Sequence, residues 1–273
     1  VGVDERDPTA AGETWKTISQ AEPGPPLRLR DGLAVLAVLL GAQLAGGFGV
    51  ALSVGFVAAL LGADTADPAV LREVHAVAMP AGIAGGTVAS ALALALYGWR
   101  SLRGPRRAER RRAVGVVAVP GWTLGVAALL GLAIALAYVG GVQLFWTPEP
   151  IQNPGPMTKM GTTQGWPQWT WALVGLAFSP WIEEFVFRGQ LLGALEAAWG
   201  RALAAVVSTA LFLALHASEF AGFPPGAIGI TAMALGALAL RYRTGSVWPA
   251  MWLHFGYNAL LASGVLLASS LAR

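Results

Sequence analysis

The chain has 273 residues, of which 55% are hydrophobic and 12% charged, with a formal net charge of +3. Ordinary soluble domains carry about twice that charge, ~25% of residues, and so few ionised groups could not cover a surface of this size. The composition therefore excludes a soluble globular protein, a disordered protein and a nucleic-acid-binding protein, and it points to a membrane protein. The charges are also unevenly placed: residues 1–32 hold ten, residues 100–112 hold eight, and the other 228 residues share fifteen. There is no cysteine, which removes disulfides, thiolate metal sites and a cysteine nucleophile together. The richness in Ala, Gly and Arg suits a GC-rich bacterial genome, so a bacterial plasma membrane is the expected location.

Residues 1–32 are polar and carry Pro8, Pro23, Pro25 and Pro26, which reads as a flexible tail. A cleaved signal peptide is not expected, because the first apolar run starts late, at Leu33, and outruns a ~7–15-residue signal core. From Leu33 to Gly62 no residue is charged, and the run is long enough to span a bilayer with tilt. A second span covers about Val74–Trp99. A third lies within Ala113–Trp146, too long for one straight crossing, so that either Pro120 kinks it or its first turns lie in the interface. Residues 147–168 read as an external loop rich in Pro, Gly and Thr. A fourth span begins near Trp169, and later spans cover about Ala202–Ala217, Gly226–Leu240 and Ser246–Leu271.

This pattern predicts an all-α polytopic helix bundle of about seven crossings, or eight if the third segment is two helices. The spans at 33–146 form one group, with a basic loop at 100–112, and residues 169–271 form a second bundle. The arginines set the expected orientation. Arg100, Arg103, Arg106, Arg107, Arg110, Arg111 and Arg112 lie between the second and third spans, and the positive-inside rule assigns that loop to the cytoplasm. Counting outward, the N-terminus is also cytoplasmic, as are Arg28, Arg30, Arg201, Arg241 and Arg243.

Ionisable groups inside lipid cost at least ~2.5–3.5 kcal/mol each on insertion scales. Glu183, Glu184, Arg188, His216 and His254 nevertheless stand in apolar sequence, together with the amide of Asn258. Glu184 and Arg188 are at i, i+4 with the acid first, the favourable order for a helix ion pair. Glu183 points about 100° away and is left unpaired, which suits a general base. His254 and Asn258, also at i, i+4, share a helix face. If the chain forms an antiparallel hairpin about Gly200–Arg201, His216 falls within about half a turn of Glu183. His254 lies about ten residues past the Arg243–Thr244–Gly245 turn, or ~15 Å deep. Three helices thus bring Glu183, His216, His254 and Asn258 to similar depth. Taken singly, each also fits packing or a helix–helix hydrogen bond. His75 near an external helix end and Glu219 after His216 read as an interfacial group and a loop charge.

The ordered set Glu183–Glu184–Phe185–Val186–Phe187–Arg188, then Phe212–Leu213–Ala214–Leu215–His216, then His254–Phe255–Gly256–Tyr257–Asn258 resembles the CPBP family. These are the CAAX prenyl endopeptidase and bacteriocin-processing membrane proteins, also called Abi. The resemblance covers roughly residues 169–268 and implies an intramembrane endopeptidase. It implies that Glu183 and His216 hold and activate a water, that His254 and Asn258 bind the oxyanion, and that Glu184 and Arg188 support them. No cofactor is required on this reading. The alternative is a metalloprotease, in which Glu183, His216 and His254 supply a three-ligand zinc set with an open position. The expected partners are membrane lipid and a membrane-anchored or hydrophobic peptide substrate, with no nucleic acid. Two other readings remain open: a non-catalytic bacteriocin-immunity or scaffold protein, and a proton-coupled transporter.

Overall fold

The computed structural model describes residues 26–104, 106–146 and 154–272. Most of the expected tail, at 1–25, and part of the expected external loop, at 147–153, lie outside the described residues. Helix α1 (Leu29–Leu60) begins four residues before the apolar run, because Asp31 accepts the Arg28 backbone N–H at 2.7 Å and caps the first turn. Helix α2 (Pro68–Ser101) returns antiparallel to it, opened by Pro68 and by the Asp67 carboxylate on the Ala69 N–H.

Of the two readings of the third apolar segment, the kink at Pro120 does not occur. The segment's first residues, Ala113 and Val114, close a short basic helix, α3 (Arg107–Val114), which stops at Gly115 with φ +80°. Helix α4 (Gly121–Phe145) starts afresh, and Pro120 precedes it as the N-cap rather than bending it. The reason is the arginines: such a charged stretch cannot continue into lipid, and the left-handed glycine breaks the helix before the apolar run starts. Part of the expected external loop is also helical, at α5 (Pro156–Thr162).

A helical column then runs from Trp166 to Trp199. It comprises α6 (Trp166–Leu173), a π-helical stretch Val174–Phe178, α7 (Ser179–Glu184), a second π stretch Phe185–Leu191, and α8 (Leu192–Trp199). Gly200, at φ +78°, turns the chain into α9 (Arg201–Leu215). The short α10 (Ala217–Gly222), then α11 (Pro225–Thr244) and α12 (Trp248–Leu271), complete the chain. No strand occurs among the described residues. Five helices, α1, α2, α4, α11 and α12, are long and apolar enough to cross a membrane. At ~1.5 Å per residue, α9 reaches only ~22 Å, less than a hydrocarbon core of ~30 Å.

The column is the centre of the bundle. Phe187, Leu191 and Leu192 are buried against Val35 and Leu39 of α1, Phe212 of α9, Met233 of α11 and Leu253 of α12. The outer helices turn apolar side chains outward, as at Phe48, Leu52 and Phe56 of α1, which suits a lipid solvent. Arginine-bearing segments meet at one end. The Arg241 guanidinium donates to the carbonyls of Arg188 and Ala113, at 2.9 Å each, and Arg201 stacks on Tyr242.

Helix α12 is fixed in height by two glycine contacts with α4. Gly131 lies against the Leu253 carbonyl and Gly256 against the Ala128 carbonyl, with no room for a Cβ at either. Such backbone approach lets dispersion hold helices together where no hydrophobic effect operates. Gly256 sits midway between His254 and Asn258, so this seam also sets the depth of both. Gly256→Val is therefore expected to lower stability by ~1–3 kcal/mol or more. Gly264→Val, where a Cβ meets nothing within 4 Å, is expected to be near neutral. Thermal unfolding of both variants in detergent micelles checks the pair.

Candidate active site

The two π stretches shape this site from the backbone upward. A π turn takes its carbonyls out of the ordinary ladder, and in lipid each carbonyl needs another donor. Side chains from three other helices supply them. Asn258 of α12 donates to Gly175 O at 2.8 Å, Ser208 of α9 to Phe187 O at 2.8 Å, and Arg241 of α11 to Arg188 O at 2.9 Å. Glu183 and Glu184 end the short α7 between these stretches, so their positions are tied to all three neighbours.

Glu184 is wholly buried and Arg188 nearly so, and the i, i+4 pair forms at 3.1 Å. The same oxygen, Glu184 Oε1, also receives His254 Nδ1 at 3.0 Å. Arg188 spends a second nitrogen on Ala234 O at 3.0 Å, and its guanidinium lies 4.2 Å from the Phe212 ring centroid. One carboxylate thus balances one guanidinium and orients one imidazole, all in a dry interior. With Nδ1 committed, Nε2 is the nitrogen that His254 has left for a ligand.

Glu183 faces the other way. Its Oε2 is buried without a hydrogen-bond partner among the described residues and stands 3.8 Å from His216 Nε2. His216 ends α9, and its Nδ1 is 2.9 Å from Phe212 O. A carbonyl only accepts, so Nδ1–H donates to it, and the neutral tautomer with that proton has its lone pair at Nε2. Two acceptors therefore face each other across a gap that a donor would fill.

Glu183, His216, His254 and Asn258 all line one cavity of about 530 Å³. Leu39 and Ile83 of α1 and α2 also reach its wall, as do Met157 and Thr158 of α5. His75 is exposed and away from this cavity. Among the described residues no three His, Cys, Asp or Glu side chains form a group able to hold an ion.

Two structural roles escaped the sequence reading. Glu219, read as a loop charge, accepts Met157 N at 3.0 Å, Thr158 N at 3.1 Å and Thr158 Oγ1 at 2.7 Å. It fastens α5 beside the cavity, three residues after His216. Gly155 packs directly on that carboxylate. Arg241, read as a topology charge, anchors the second π stretch to the α3 end. Alternation of Pro, Gly and Thr in the first case, and proximity to a basic turn in the second, gave no signal of either.

The two adjacent glutamates should respond differently to the same change. Glu184→Gln leaves Arg188 buried without its counter-charge and is expected to cost ~3–5 kcal/mol. Glu183→Gln removes no hydrogen bond of the fold and is expected to change stability by no more than ~0.5 kcal/mol. Melting temperatures of the two variants, measured side by side in micelles, test this.

Residues 165–260 match the Rce1-like family model, described as Type II CAAX prenyl endopeptidase Rce1-like. No curated protein and no solved structure matches the chain. The matched region holds all three motifs and every residue that contributes to the two carboxylate–histidine contacts. Over residues 165–260 the chain is accordingly similar to the Rce1-like CAAX prenyl endopeptidases.

Proposed function

We propose that the protein is an intramembrane endopeptidase that hydrolyses peptide bonds of membrane-associated proteins or peptides with a water activated by Glu183 and His216. The observation that carries this reading is the facing pair of acceptors, Glu183 Oε2 and His216 Nε2, 3.8 Å apart on the wall of a cavity. A water donating one proton to each would have its lone pairs turned into the cavity. Peptide hydrolysis without a Ser or Cys nucleophile needs such a water and a donor set for the developing oxyanion.

In the proposed reaction the water oxygen attacks the scissile carbonyl carbon while Glu183 takes a water proton. The carbonyl oxygen becomes an oxyanion. Asn258 uses one amide hydrogen on Gly175 O, and its second amide hydrogen is available to that oxyanion. His254, held at Nδ1 by Glu184, donates to the same oxyanion when its Nε2 carries a proton. The tetrahedral intermediate then collapses, the C–N bond breaks, and Glu183 returns its proton to the leaving amine. Phe212 serves twice, holding His216 through its carbonyl and covering Arg188 with its ring. Arg188, behind Glu184, fixes the charge of this half of the site without touching substrate.

The arginine-rich end of the bundle faces the cytoplasm on this reading, by the positive-inside rule. The substrate would approach through the membrane, since the cavity wall includes the lipid-embedded helices α1 and α2 as well as the matched domain. Hydrolysis of membrane-anchored peptides by the reconstituted protein is the test. Glu183→Gln is expected to lower kcat by at least ~10²–10⁴ at unchanged folding, and His216→Gln to do the same. Cleavage by the Glu183→Gln variant at the parent rate would overturn the assignment. Full activity after exhaustive chelation is the second expected result; loss that is restored by zinc would assign the reaction to a metal instead.

A further inference from the structure

A second cavity, about 560 Å³, lies on the opposite side of α7 from the site. It is an open groove between α2, the helical column and the start of α12, and no charged residue lines it. It runs along α2 from Ala91 to Leu102, ~16 Å at ~1.5 Å per residue. Its deep end is therefore at hydrocarbon depth. Its other end, at Trp99, Leu102, Val116 and Trp248, adjoins the arginine-rich turn. Three tryptophans, Trp99, Trp181 and Trp248, stand along it.

Most of the arginines at that end have no carboxylate partner among the described residues. Arg103 stacks its guanidinium 3.7 Å from the centroid of Trp99, a groove-lining ring, and is otherwise exposed. Within the cluster at 100–112, only Arg106 has a carboxylate partner among the described residues, Glu109 at 2.7 Å. Arg100, Arg103, Arg107, Arg111 and Arg112 are all exposed, with no carboxylate in ion-pair contact there. An apolar trough with Arg103 stacked on Trp99 at its end, beside further exposed arginines in the chain, is complementary to one kind of molecule: an acyl chain ending in an anionic phosphate. Guanidinium groups suit phosphate because several N–H donors point the same way.

We infer that this groove binds an anionic phospholipid of the surrounding leaflet, with an acyl chain along Ala91–Leu102 and its phosphate on Arg100 and Arg103. The inference does not depend on the proteolytic reading, because it concerns a different cavity and is read out by binding. It does bear on the site. Ile182 lines both cavities and immediately precedes Glu183, so the bound chain supports the outer wall of the inner cavity.

The test uses the full-length protein in detergent, given equal amounts of phosphatidylglycerol and phosphatidylcholine with identical acyl chains. Native mass spectrometry reads which lipid stays bound. One retained phosphatidylglycerol, at least tenfold over phosphatidylcholine, is expected, together with a rise in melting temperature of a few degrees. Arg100→Gln with Arg103→Gln should abolish the preference while keeping the lipid-free melting temperature. Ala95→Phe, on the exposed face of the groove, should remove retention of either lipid. Equal retention of the two lipids, an unchanged preference in the double arginine variant, or retention by a folded Ala95→Phe protein would overturn the inference. Equal stabilisation by glycerol phosphate at matched phosphate concentration would also overturn it, assigning the cations to a free anion. Cleavage activity plays no part in these outcomes.

Discussion

A single carboxylate oxygen, Glu184 Oε1, holds together three parts of the chain that are distant in sequence. It receives Arg188 from its own helical column and His254 from α12, while Arg188 reaches on to α11 through Ala234 O. Burying one such charge without compensation would cost several kcal/mol. Burying the set together distributes that cost and makes the arrangement cooperative, since no member can leave without stranding another. Burial enforces this, because a buried charge that loses its partner is left uncompensated. The charge cluster thus constrains how the helices pack.

The π stretches on either side of Glu183 and Glu184 impose a related constraint on the backbone. Their displaced carbonyls at Gly175, Phe187 and Arg188 are taken by Asn258, Ser208 and Arg241. Each bond fixes the rotation of a neighbouring helix about the column. Asn258 therefore bonds the backbone of the column while lining the cavity. The two histidines are also set apart by their partners. His216 Nδ1 bonds the Phe212 carbonyl, whereas His254 Nδ1 bonds the Glu184 carboxylate.

The helical architecture and the members of the cavity were legible in the sequence because charge is so scarce outside the tail and the arginine cluster. Glu183, Glu184, Arg188, His216 and His254 stand out against lipid-compatible neighbours, and an antiparallel hairpin about Gly200 correctly brings position 216 beside 183. The i, i+4 spacing likewise gave the Glu184–Arg188 pair. What stayed hidden depends on contacts across the bundle. That His254 pairs with Glu184 rather than standing free is a matter of side-chain direction, which spacing does not reveal. The π stretches have no composition signature, since the residues that stabilise them lie 21 to 83 positions away. At Pro120 the sequence left two readings open, because a proline inside an apolar run can kink a helix or begin one; here it precedes a new helix. Part of the expected external loop hid a helix, α5, whose anchor, Glu219, is 61 residues from Thr158.

That anchor changes where the working unit of the chain begins. Glu219 grips α5 at its start, and Gln168 grips its other end through Gly161 O at 2.9 Å while also meeting Ser269 of α12 at 2.6 Å. Both clasps come from outside α5, on residues of the C-terminal bundle. Helix α5 therefore travels with that bundle, although it precedes the matched region by several residues. The C-terminal bundle therefore begins no later than Gly155. A cut at residue 165 would take away a piece of the cavity wall and leave the Glu219 carboxylate, a few ångströms of backbone from His216, with nothing to hold.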